Sequence, residues 1–138
     1  EFSDMFNLPY HSVCTTSTHD MTPLRNWWKE DPEKTQRYYN HVLQRIGEAP
    51  DECTAEIVAQ IISNHLKTRS MLTIIPLQDW FAMDDSIKRK DIESERINVP
   101  ANSTHYWRYR MHITLEQLLQ ADNLNNKIVS LIKEAGRK

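Results

Sequence analysis

The chain has 138 residues, with 17 Lys plus Arg against 19 Asp plus Glu and a formal net charge of −2. That length suffices for one domain with a core of its own, and the near-balanced charge argues against a general polyanion binder. No apolar run approaches the ~18 residues a membrane span needs, and no N-terminal basic-then-apolar segment resembles a signal peptide.

Residues 1–10, "EFSDMFNLPY", carry no clear period and read as a loop. The first residue is Glu1 rather than Met, so processing or a longer parent chain is expected. "HSVCTTST" (11–18) is rich in β-branched residues and reads as a strand. "TPLRNWWKE" (22–30) reads as a short helix with Pro23 near its first turn. A second helix is predicted from Asp31 as cap, with Pro32 at the first helical position and Glu33 at the positive end. Tyr38, Tyr39, Val42, Leu43 and Ile46 would form its apolar face, and Gly47 would stop it.

A third helix starts near Thr54, with Ile57, Val58, Ile61, Ile62 and Leu66 at helical spacing. "SMLTIIPL" (70–77) is a short continuous apolar run, as in a parallel strand buried on both faces. Residues 84–105 are polar and lack a period, which predicts a long loop of the kind that usually carries function or disorder. The last stretch, 114–136, holds closing helices. Thr114 and Gln117 offer a capping box, Ile128, Leu131 and Ile132 share a face, and Gly136 lies past the end. Two strands separated by helices imply parallel pairing through a right-handed crossover. Two parallel strands do not make a good sheet alone, so the expected class is α/β, a part of a larger sheet or barrel.

Several constellations bear on chemistry. His19 and Asp20 follow the first strand. At the carboxyl end of a parallel strand, a carboxylate and an imidazole can hold adjacent hydroxyls; alternatively, Asp20 caps the helix at Thr22–Pro23. Asp79, after the second strand, has the same two options, a ligand or the cap of a helix entering at Trp80. "ERINVPANSTHYWRYR" (95–110) mixes flat rings with forked donors. Such a set can hold sugar rings or stack on bases, or pack as an aromatic loop with its Arg heads paired to local acids. Lys88, Arg89 and Lys90 lie among acids and read as a solvated mixed-charge face. The His residues lack HExxH or paired spacing, so no metal is expected, and no GxGxxG, P-loop or GxSxG stretch suggests a cofactor or a serine nucleophile. Cys14 and Cys53 have no CxxC spacing and are expected as buried free thiols of a reducing compartment, although a disulfide is permitted.

"SVCTTSTHDMTPLRNWW", "LTIIPLQDWFAMDD" and "ERINVPANSTHYWRYR", in this order, resemble the last carboxylate segment, the final barrel strand and the Arg-x-Asn-x-Pro loop of 4-α-glucanotransferases (amylomaltase, disproportionating enzyme; glycoside hydrolase family seventy-seven). The flavour is that of the longer-chain subgroup of Bacteroides-like bacteria and plant cytosol. The resemblance implies the C-terminal part of a (β/α)8 TIM barrel, about its last two strands plus closing helices. It implies cytoplasmic transfer of α-1,4-glucan segments between maltooligosaccharides, by retaining double displacement and with no cofactor. Asp20 matches the transition-state-stabilising carboxylate, assisted by His19; Thr18, Asn98 and Pro100 match substrate-binding positions, and Trp27 and Trp28 pack. Asn26 departs from the Gly usual before the Trp pair, a change confined to a helix. The nucleophile and acid/base motifs have no match in these residues, so the chain is expected to be inactive alone and to self-associate through exposed strand edges. The competing expectation is a self-contained helical glucan-binding or interaction module without catalysis.

Overall fold

The computed structural model describes Phe2 and residues 4–137. Its centre is a parallel ladder between β1 (Val13–Cys14) and β2 (Leu72–Thr73), with Val13 opposite Leu72 and Cys14 opposite Thr73. Backbone bonds continue it on both sides, from Met71 N–H to the Tyr10 carbonyl (2.7 Å) and from Ile74 N–H to the Cys14 carbonyl (2.9 Å). The pairing is parallel as expected, but the strands are much shorter than 11–18 and 70–77. The first gives way where Thr15 turns its hydroxyl onto the Ser17 carbonyl at 2.6 Å. The second stops at Pro76, which caps the next helix and has no N–H for a ladder.

The expected burial of both faces is also corrected. Cys14 and Ile75 are buried, whereas Val13, Leu72 and Ile74 stand 55%, 48% and 58% exposed. Side chains alternate across a strand, so Val13, Leu72 and Ile74 share one bare apolar face. Only the opposite face is covered by the helices of this chain.

The helices are α1 (Leu24–Glu30), α2 (Pro32–His41), α3 (Ala55–Leu66), α4 (Leu77–Phe81), α5 (Leu115–Leu119) and α6 (Asp122–Glu134), with short 3-10 turns at Met5–Asn7 and Glu93–Glu95. α2 begins as its sequence dictates, Asp31 accepting from Lys34 N–H at 3.0 Å with Pro32 in the first turn. It ends at His41, well before Gly47. The chain leaves the helix through Gln44 at φ 54°, Arg45 N–H bonds the Tyr39 carbonyl, and Gln36 and Asn40 donate to the Gly47 carbonyl. Polar side chains of α2 thus hold the descending chain where another turn would have run. Ile46 is consequently 98% exposed and leaves the expected apolar face.

α3 is the spine of the core. Thr54 caps it by accepting from Ile57 N–H, and Ile57, Val58, Ile61, Ile62 and Leu66 are all buried. Each of the large side chains adds about 1.5–3 kcal/mol over an exposed position. α6 packs on α3 and α1 on α2. Trp28 is buried with its indole N–H on the Pro50 carbonyl at 2.9 Å, and Trp27 meets Tyr38 edge-on at 5.2 Å, so the Trp pair packs. Thr114 and Gln117 form the full capping box. Ile128, Leu131 and Ile132 lean on the core, and Gly136 takes φ 68° past α6. Leu124, unremarked in the sequence, is fully buried. Arg137 locks this end, donating to the carbonyls of Leu66 (2.5 Å), Thr68 (2.9 Å) and Ser70 (2.9 Å). Cys14 and Cys53 are free and buried, and burial pushes the Cys53 thiol pKa up.

Candidate functional site

Beyond β1 the chain makes a tight turn in which Met21 N–H reaches the Thr18 carbonyl at 3.1 Å. His19 and Asp20 occupy its two central positions, and all of Thr18, His19 and Asp20 are exposed. The imidazole Nε2 lies 3.4 Å from Asp20 Oδ2, with both side chains about half exposed (53% and 54%). Asp20 does not cap α1: the helix starts at Leu24 with Pro23 as its cap residue.

The second arm of the site comes from the long polar segment. Asn98 Nδ2 donates to Asp20 Oδ1 at 2.6 Å, while Asn98 Oδ1 accepts from Val99 N–H at 2.9 Å, which fixes the amide orientation. Pro100 lies in the turn that follows, closed by Asn102 N–H on the Val99 carbonyl at 2.8 Å; it is exposed and shapes the loop. Thus His19, Asp20 and Asn98 converge, whereas Pro100 acts on backbone course. Trp107 joins them with its ring 5.0 Å from that of His19 and 57% of its surface exposed. Beneath the turn runs a groove of about 350 Å³. Val13, Ile74 and Ile97 give it apolar walls, and Thr18 and His19 are among its polar lining.

The aromatic–Arg run is neither a salt-bridge cluster nor a wholly free platform. Arg108, expected on an acid, stacks instead over Tyr106, and Arg89 from outside the run stacks over Tyr109, each at 5.1 Å. Arg89 also donates to the Arg110 carbonyl and to Ser94 Oγ. It is therefore packed, whereas Lys88, paired with Asp85 at 2.5 Å, and the exposed Lys90 fit the expected charged surface.

A buried polar layer supports the exposed groups, and little of it was visible in the sequence. Asp79 lies inside α4, which begins at Leu77, so it caps no helix of its own. It is 1% exposed. Its Oδ2 accepts from Thr16 Oγ1 at 2.5 Å and its Oδ1 from Leu24 N–H at 3.2 Å. It therefore supplies, from across the ladder, the capping bond that Pro23 provides no side chain to make. Burial pushes the Asp79 carboxyl pKa up, against the lowering effect of these two bonds. Arg25 and Glu95 form a buried ion pair at 2.7 Å, and Arg25 also donates to the Arg89 carbonyl at 2.8 Å. Burial raises the Glu95 pKa although the Arg25 charge opposes it. Asn26 is buried and donates to Glu93 at 2.9 Å. The departure from Gly at that position thus reaches beyond the helix, to the segment that carries Asn98. Among the described residues, no group of three or more His, Cys, Asp or Glu gathers to hold a metal.

A parallel ladder with helices on one face and polar side chains collected beyond the carboxyl ends of its strands defines an α/β chain. The family model described as 4-alpha-glucanotransferase, glycoside hydrolase family 77, matches residues 1–116, and the chain belongs to that family. It is 38% identical over 137 residues to the rice (Oryza sativa subsp. japonica) 4-alpha-glucanotransferase DPE2, covering 99% of this chain and 14% of the rice protein. It is 31% identical over 123 residues to the Chlamydia trachomatis 4-alpha-glucanotransferase, covering 87% of this chain and 22% of that protein. The chain therefore spans less than a quarter of either relative. An amylomaltase from Streptococcus agalactiae, solved in complex with acarbose, superposes with a TM-score of 0.71 at 19% identity, over 97% of this chain and 23% of that one. The fold of that part is shared. No helix among the described residues is long and apolar enough to cross a membrane.

Proposed function

We propose that this chain is the C-terminal part of a (β/α)8 catalytic barrel, contributing its last two strands. In that reading it supplies one side of the active site of an enzyme that transfers α-1,4-glucan segments between maltooligosaccharides. The bare face of Val13, Leu72 and Ile74 is then barrel interior, and the ladder edges pair with neighbouring strands of the parent. This exposed face also weighs against a self-contained binding module, which would cover its own apolar sheet.

The observation that carries the reading is the meeting of Asp20, His19 and Asn98, from two separate segments, with His19 also lining the groove beneath the turn. Retaining transfer needs a nucleophile and an acid/base on either side of the bond and passes through an oxocarbenium-like state. Those two groups come from elsewhere in the parent. Asp20 would accept hydrogen bonds from the ring hydroxyls of the sugar whose bond breaks, and these strengthen as positive charge develops. With its other oxygen held by Asn98, the carboxylate is oriented before substrate arrives. His19, beside it, adds a ring nitrogen for a neighbouring hydroxyl, and Thr18 lines the approach.

The test is Asp20→Asn in the full-length parent, assayed by disproportionation of maltotriose. Loss of a preorganised electrostatic contact costs about 3–4 kcal/mol of barrier, a kcat reduction on the order of 10²–10³. Wild-type turnover in this variant would remove Asp20 from the reaction.

A further inference from the structure

Asp79 cannot touch a substrate, being 1% exposed, and Gln78, 5% exposed, meets the groove only at its wall. Beside the Thr18–Met21 bond within the Asp20 turn, two bonds that brace its ends meet on Asp79. Thr16 precedes the turn and Leu24 follows it, and one carboxylate grips both, Oδ2 on the Thr16 hydroxyl at 2.5 Å and Oδ1 on the Leu24 N–H at 3.2 Å. The adjacent Gln78 reaches the other arm of the site. Its Nε2 donates to the Glu95 carbonyl at 3.1 Å, at the foot of the strap that carries Asn98. The two arms then close on each other through Asn98 and Asp20 at 2.6 Å.

From this geometry we infer that Gln78 and Asp79 are a positioning pair: one short helix, α4, sets the separation and orientation of Asp20 and Asn98 for glycosyl transfer. The inference rests on the function proposed above. A carboxylate that binds two separate points of one loop fixes both its height and its rotation. A hydrophobic side chain of the same volume would fix neither. Small displacements of a catalytic group reduce turnover steeply, on the order of 10²-fold for 1 Å, so the Asp79 grip on the Asp20 turn acts on kcat rather than on substrate affinity.

The experiment uses the full-length parent enzyme with Thr16→Val, Thr16→Ser and Asp79→Asn, and Asp20→Asn as reference. Thr16→Val keeps the volume and removes the hydroxyl, so kcat for maltotriose disproportionation should fall at least about tenfold with KM within about twofold of wild type. Its unfolding midpoint should move by no more than about 3 °C. Thr16→Ser keeps the hydroxyl and should restore turnover. Asp79→Asn can still accept from Leu24, and the Thr16 hydroxyl can turn to accept from the new amide, so it should lose less than Thr16→Val. Wild-type kcat in Thr16→Val beside an inactive Asp20→Asn overturns this inference alone. So does a Thr16→Ser enzyme as slow as Thr16→Val, or a kcat loss matched by loss of folded protein. Full activity in Asp20→Asn overturns the functional reading and this inference with it.

Discussion

Asn98 holds Asp20 by one hydrogen bond of 2.6 Å across 78 positions of sequence. The bond joins the turn after β1 to the strap after α4, and each residue leaves the other in a single orientation. Asn98 can do this because its own carbonyl oxygen is engaged by Val99 N–H, which points the NH₂ group at the carboxylate.

Asn98→Ala should therefore free Asp20 to rotate. A hydrogen bond to a charged group contributes about 1.5–3 kcal/mol, so kcat of the full-length enzyme should fall about 10–100-fold. Asn98→Asp should be worse, because it sets carboxylate against carboxylate at the same distance. Steady-state kinetics on maltotriose for both variants checks the order; an Asn98→Asp enzyme more active than Asn98→Ala contradicts it.

The Arg25–Glu95 pair is buried on both sides, at 8% and 3% side-chain exposure. Arg25→Met leaves Glu95 without its partner, which costs about 3–5 kcal/mol in buried pairs. The Arg25→Met, Glu95→Met double variant should recover most of that loss, since no charge is then stranded. Urea unfolding of the four species measures the cycle, and equal destabilisation of the single and double variants would refute it.

His65 is buried in α3 with Nδ1 2.7 Å from the Ile61 carbonyl. Burial lowers its pKa below 6.5, against a raising effect of that bond. The unfolded chain then binds the proton more readily than the folded one. The stability from His65 is complete above pH 6.5 and is lost as pH falls through the lower folded value. Wild type should lose stability on acidification below about 6.5 faster than His65→Gln, as denaturation midpoints between pH 7.5 and about 5 would reveal. Parallel profiles would exclude the effect.

The bare face of Val13, Leu72 and Ile74 predicts the behaviour of the chain by itself. An exposed apolar sheet with unpaired edges seeks another copy. Sedimentation of these 138 residues should show concentration-dependent association, and Ile74→Lys should weaken it. A monomer at every concentration, unaffected by Ile74→Lys, would contradict the prediction.

Caps and periodicity were legible in the sequence because they are local. Asp31, Thr54 and Thr114 act within three or four residues of themselves, and the apolar residues of α3 need only helical spacing to share a face. The Thr-His-Asp turn and the Arg-x-Asn-x-Pro strap were legible as separate candidates, since each is a contiguous stretch. The tertiary structure decided what joins them. Asp79 had two readings, a ligand or the cap of a helix entering at Trp80, and only the folded chain shows its oxygens on Thr16 and Leu24. Asn26 looked like a variation within a helix until Glu93 came to lie beside it. The end of α2 at His41 depends on Gln36 and Asn40 meeting a carbonyl farther along the chain. In each case the energy lies in a hydrogen bond that reaches beyond one helical turn, over 7 and 11 positions at the end of α2 and over 55 or more for Asp79 and Asn26. Residue type fixes what such a group can donate or accept, and only the packing of helices around the ladder fixes which partner comes within reach.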